Sequence, residues 1–133
     1  MENNKILNAL KDGEKTAEAV IENPQKRDKL IEKVENFASN NRSSLQDYWQ
    51  DIELTFSLLK DYFSGVYKEV ALSSIVMIIS SFLFIVSPFR FLPKWLPLSA
   101  LLERTLVIIF ILEYIKGDLA AYRKWRQVSA EQN

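Results

Sequence analysis

Four charged side chains lie between two apolar stretches in the carboxyl-terminal half of the chain. Arg90 and Lys94 stand among the prolines of Ser87–Pro97, and Glu103 and Arg104 interrupt the apolar segment that follows. The planar fork of an arginine donates two parallel hydrogen bonds to a phosphate. Three bases with one acid therefore have the chemistry of a contact with anionic lipid headgroups, Glu103 pairing one of the bases. The same residues also suit a simpler purpose, as long side chains that snorkel and keep a turn at the water boundary. Catalysis is poorly supplied. The 133 residues include no His and no Cys, which removes the commonest general base, the commonest metal ligands and the thiolate nucleophile together. Serines without a neighbouring base have no route to activation, so no enzyme activity, metal or cofactor is expected.

The charge distribution narrows the partners. Residues 1–69 carry 10 Lys and Arg against 13 Asp and Glu, and residues 70–133 carry 7 against 4, for a net charge of zero. Neither half has the dense basic stripe that neutralising several phosphates of a nucleic acid requires. Membrane lipids are the expected partners, with a homo-oligomer or another membrane protein as further possibilities and no nucleic acid.

Two apolar segments must position the charged cluster. Pro88, Pro93 and Pro97 each lack a backbone donor and cannot lie inside a regular helix, so Ser87–Pro97 reads as a bend. Before it, Val70 to Phe89 is a run of 20 residues without a charge, about 30 Å as a helix and the thickness of a hydrocarbon core. Ser73, Ser80 and Ser87 recur every seventh residue, with Ser74 and Ser81 beside them. They give this helix a small, weakly polar face for close approach of another helix, or they return their hydroxyls to the preceding turn. After the bend, Leu96 to Leu112 is the second apolar segment, and Tyr114, Tyr122, Arg123, Lys124, Trp125 and Arg126 interleave aromatic and basic groups as an interfacial anchor does. An ordinary amphipathic surface helix is the plainer reading of that tail. Lys116, Arg123, Lys124 and Arg126 outnumber Arg90 and Lys94, which favours cytoplasmic termini at the cell membrane.

The region 1–69 reads as about three amphipathic helices. Ile6, Leu7 and Leu10 begin a weak pattern that Ala17, Val20 and Ile21 resume, and Met1 to Ala19 lacks the apolar core of a cleaved leader. Asn23 followed by Pro24 predicts a capped helix start, and Leu30, Ile31, Val34, Phe37 and Ala38 form its apolar face. From Ser44, the stripe Leu45, Tyr48, Trp49, Ile52, Phe56, Leu59, Phe63, Val66 and Val70 predicts one helix of about two dozen residues. The fold class expected is all-α, with this helical region followed by an apolar, membrane-inserted hairpin in 70–133.

Residues Tyr62 to Trp125 resemble the YkvA family, a domain of unknown function in small bacterial membrane-associated proteins. The resemblance rests on Ser87, Pro88, Pro93 and Pro97 at the family's spacings, and on Ala17 to Pro24 as its leading helix. Where that family is acidic in the turn, this chain has Arg90 and Lys94, and Glu103 with Arg104 replaces its paired acids. The resemblance implies membrane association and no particular activity. A non-enzymatic anchoring, interaction or regulatory protein is the function expected. The alternatives are a small oligomeric transport or permeability element built on the serine face, or a soluble all-helical domain with a buried hairpin.

Overall fold

A computed structural model describes residues 14–86 and 104–132. Among them are six α-helices: α1 (Glu14–Ile21), α2 (Pro24–Asn40), α3 (Trp49–Ser64), α4 (Leu72–Val86), α5 (Arg104–Tyr114) and α6 (Lys116–Gln132), with a short 3-10 turn at Gln46–Tyr48. The all-α expectation holds. The pattern at Ile6, Leu7 and Leu10 and the bend itself lie outside the described residues.

Helix α4 is the centre of the arrangement. It carries no charged residue, and 11 of its 15 residues are buried; a helix of that kind has to be covered by protein or by lipid. Here α1, α2 and α5 lie against it, while α6 packs on α3 and α5. The Phe56 and Phe82 rings, 5.6 Å apart, bring α3 onto the same core. The buried apolar side chains form a cluster that runs from Ala17 to Tyr122, so the helices on both sides of position 69 pack together. The uncharged run is not a 20-residue helix. Val70 and Ala71 precede α4, whose described residues, Leu72–Val86, extend about 22 Å. Among the described residues no helix is long and apolar enough to cross a membrane.

Local chemistry explains where the helices begin and end. The Asn23 side chain accepts the Lys26 amide at 3.2 Å, with Pro24 in the first turn, and Leu30, Ile31, Val34 and Ala38 are buried as expected. Asn41 then donates its side-chain amide to the Phe37 carbonyl at 2.8 Å. The next helix departs from expectation at both ends. It starts at Trp49 after the 3-10 turn, and it stops at Ser64 because Gly65 takes φ +85°. The Val66 amide donates to the Asp61 carbonyl at 2.9 Å and the Gly65 amide to Tyr62 at 3.2 Å, a left-handed stop suited to a residue without a Cβ. Val66 is left exposed beyond it, whereas Tyr67 and Val70 return to the core in the segment before α4.

The serine face is divided rather than shared. Ser73 is exposed, and Ser74 and Ser81 are buried; Ser87 lies outside the described residues. Ser81 donates to the Met77 carbonyl at 2.9 Å, one turn back, while Ser74 reaches Asp118 of α6 at 2.8 Å. Ser80 is 2 % exposed and its hydroxyl has no partner among the described residues. An unsatisfied buried hydroxyl costs about 1–3 kcal/mol. Ser80→Ala is therefore expected to raise the unfolding free energy by about 1 kcal/mol, and Ser80→Leu to lower it by about 1–3 kcal/mol through overpacking. Urea unfolding followed by circular dichroism measures both; a destabilised Ser80→Ala would mean that the hydroxyl is satisfied.

Candidate functional site

Arg104 does not face outward. Its Nη1 donates to the Ile85 carbonyl of α4 at 3.3 Å, and its guanidinium lies 4.8 Å from the centroid of the Phe37 ring on α2. The carbonyl accepts from the cation, and the aromatic face is favourable to it as well. The residue expected to contact lipid thus joins α2, α4 and α5. Arg90, Lys94 and Glu103, expected beside it, lie outside the described residues.

The basic and aromatic tail is likewise drawn largely into the fold. Tyr122 is fully buried, and its hydroxyl donates to the Asp61 carboxylate on α3. Its ring stands 5.0 Å from Tyr67 and stacks on Trp125 at 5.8 Å, with Trp125 4.8 Å from Tyr67. Tyr122 belongs to the buried face of α6 with Leu119, packed on protein where an interfacial anchor was expected, and Trp125 is half-buried beside it. Arg123 pairs with Asp51 of α3 at 2.9 Å, and the Arg126 guanidinium lies 5.7 Å from the Tyr122 ring centroid. Tyr114 and Lys124 are exposed. Burial, the donated hydrogen bond and the negative charge of Asp61 push the Tyr122 hydroxyl well above the usual phenol range; burial and the charges of Glu69 and Asp118 raise Tyr67. Asp51, Asp61, Tyr67 and Asp118 gave no local sign of this role, because their partners lie far along the chain.

These groups hold helices together. Ser74 to Asp118 links α4 to α6, and Asp61 with Tyr122 and Asp51 with Arg123 link α3 to α6. Among the described residues no three acidic, His or Cys side chains are grouped to hold a metal. An open groove of about 380 Å³ runs between α2 and α3, past Asp28, Glu32, Glu35 and Phe63. Its bases are engaged there: Arg27 lies 4.3 Å from the Phe63 ring centroid and Lys60 stands 4.0 Å from Glu35.

A different kind of surface lies along α5 and α6. The Ile115 amide donates to the Ile111 carbonyl and the Ile115 carbonyl accepts from the Leu119 amide, both at 2.9 Å, so this one turn residue joins the end of α5 to the start of α6. Leu106, Phe110 and Tyr114 are 56 %, 38 % and 50 % exposed, and Val128 is 44 % exposed. On α6, Gly117, Ala120, Ala121 and Lys124 are exposed as well. The opposite stripe, Val107, Ile111, Ile115, Leu119 and Tyr122, is buried. The two helices are thus apolar inward and, unusually for a surface, largely apolar or small outward.

No protein-family model, curated protein or solved structure matches the chain.

The tyrosines give the fold a dependence on alkaline pH. Unfolded tyrosines ionise near pH 10, whereas Tyr122 and Tyr67 stay protonated in the fold to higher pH. Their contribution is complete below about pH 10 and is lost as pH rises toward the folded values. Tyr122→Phe is expected to lower stability at neutral pH by about 1.5–3 kcal/mol, the worth of a hydrogen bond to a charged group, and to make the alkaline loss shallower. Denaturation at a series of pH values from neutral to 12 measures both effects; an unchanged alkaline slope in the variant would remove Tyr122 as its origin.

Proposed function

We propose that this chain is a non-enzymatic, membrane-associated interaction protein whose working surface is the outward face of α5 and α6. The observation that carries the reading is the exposed row Leu106, Phe110 and Tyr114 on a helix whose other side is already buried. The polar side chains with chemical capacity support it as well, since Asp61, Tyr122, Asp118 and Arg104 are engaged in joining helices. Membrane association draws on the sequence of residues 87–103, where Phe89, Phe91 and Trp95 are interleaved with Arg90 and Lys94, a composition suited to the headgroup boundary. The contact proposed is peripheral, because the apolar run that would otherwise cross a bilayer is used in the core as α4.

The burial of α4 also favours a second reading, a helical domain whose apolar hairpin is covered by its own chain and which touches no membrane. An oligomeric permeability element is the weakest of the three, since the serines it needs at an intermolecular seam are divided between the core and solvent. Liposome flotation of the full chain separates the first two. Binding to anionic vesicles in excess of neutral ones is expected, and Arg90→Asp with Lys94→Asp is expected to weaken it on the order of tenfold, at about 1 kcal/mol per base. The difference should shrink at high salt. Failure of the unaltered protein to float with anionic vesicles would leave the second reading.

A further inference from the structure

We infer that the lysine ridge of α2, formed by Lys26, Lys29 and Lys33, meets the anionic headgroups of a bilayer, so that α2 lies along the membrane surface. The inference adds a second part of the chain to the membrane contact proposed above and rests on that reading.

α2 is one helix of 17 residues with three different sides. At 100° per residue, Lys26, Lys29 and Lys33 fall within about 60° of arc and Asp28, Glu32 and Glu35 within another, the two stripes centred about 125° apart. Leu30, Ile31, Val34 and Ala38 take the remaining side, which is buried. Sorting the charges in this way sets Lys29 one turn from Lys33 and Asp28 one turn from Glu32, where like charges work against a helix. The two charged sides are engaged differently. The acids border the groove against α3, where Arg27 pairs with Asp28 at 3.3 Å and Lys60 stands 4.0 Å from Glu35. Lys26, Lys29 and Lys33 are all exposed, and among the described residues none of them makes an ion pair.

The surroundings of the ridge suit a lipid surface. Asn36 and Asn40 extend the same side and are exposed, so no acid interrupts it from Lys26 to Asn40, about 21 Å along the helix. Ammonium and amide groups both donate to phosphate oxygens, and lysine, a compact charge on a flexible stem, suits an array of headgroups more than one fixed site. The ridge also reaches a particular end of the bundle. Between Asn36 and Asn40 stands Phe37, whose ring holds the Arg104 guanidinium, and Arg104 donates to the Ile85 carbonyl. That end of α2 therefore lies beside α4 and α5 where the chain passes from one to the other through residues 87–103. The ridge thus continues from the place where the segment carrying Arg90 and Lys94 joins the fold.

Flotation of the full-length protein on vesicles of equal parts phosphatidylserine and phosphatidylcholine tests the contact. Lys29→Gln with Lys33→Gln is expected to weaken binding on the order of tenfold, and less so at high salt. Glutamine forms helix about as well as lysine, so the pair removes charge without unwinding α2. Lys60→Gln with Lys68→Gln removes the same charge from α3 and from the segment before α4, and is expected to leave binding unchanged. An equal loss from both pairs assigns the effect to net charge, and no loss from the first pair leaves the ridge merely solvated; either overturns the inference.

A second measurement locates the surface. The chain has no cysteine, so Asn40→Cys and Ser64→Cys, both at exposed positions, can each carry a single environment-sensitive fluorophore. Emission is expected to shift to the blue at position 40 when these vesicles are added and to stay constant at position 64, which borders the acidic groove. A shift at both positions, at neither, or at 64 alone overturns the orientation. An unaltered protein that floats no better than the Lys29→Gln, Lys33→Gln protein counts against the ridge alone, whereas an unaltered protein that does not float at all removes the membrane reading beneath it.

Discussion

Covering α4 is the requirement that the other helices meet. A helix without a charged face has no stable arrangement in water until most of its surface is packed, and here α1, α2 and α5 supply that packing while α3 adds Phe56 against Phe82. Burial of each large apolar side chain contributes about 1.5–3 kcal/mol, so Ile75, Ile78, Ile79, Phe82 and Ile85 account for much of the drive to fold. The short α1 illustrates the dependence. Its eight residues would be a marginal helix in isolation, and Ala17, fully buried, shows that it persists by lying against the core.

Polar contacts decide how the layers are registered. Nonspecific apolar packing leaves a helix free to slide or rotate, whereas a buried hydroxyl must end on a particular acceptor or leave that acceptor unpaired. Tyr122 on Asp61 and Ser74 on Asp118 fix α6 against α3 and α4 in this way. Arg104 does the same for α4 through the Ile85 carbonyl. The exposed pair Arg123 and Asp51 adds little energy by comparison, about 0–1 kcal/mol.

What the sequence revealed divides along the line between local and distant physics. The start of α2 was legible because Asn23 and Pro24 act on amides within one turn, and so was its buried face. The apolar nature of α4 was legible too, but its covering was not, because the same composition satisfies a bilayer or a ring of neighbouring helices. The end of α3 was misread even though Gly65 marked it, since Val66 and Val70 continue the apolar spacing past the stop. Arg104, Tyr122 and Trp125 had the composition of a membrane boundary. Their inward placement depends on Ile85, Phe37, Asp61 and Tyr67, residues distant in sequence that no periodicity connects to them. The outward row on α5 was hidden for a related reason, as the helix is apolar on both sides and its pattern does not say which side is covered.

The links between α3 or α4 and α6 span 44, 61 and 72 residues, and this bears on how the protein is made. As the chain leaves the ribosome from its amino terminus, α4 emerges before the α5 that covers it, and Asp61 waits unpaired until Tyr122 has been synthesised. The nascent chain consequently exposes the flank of α4 that α5 covers until α5 and α6 have emerged. That interval is the one in which a chaperone or a membrane surface can compete with α5 and α6 for α4.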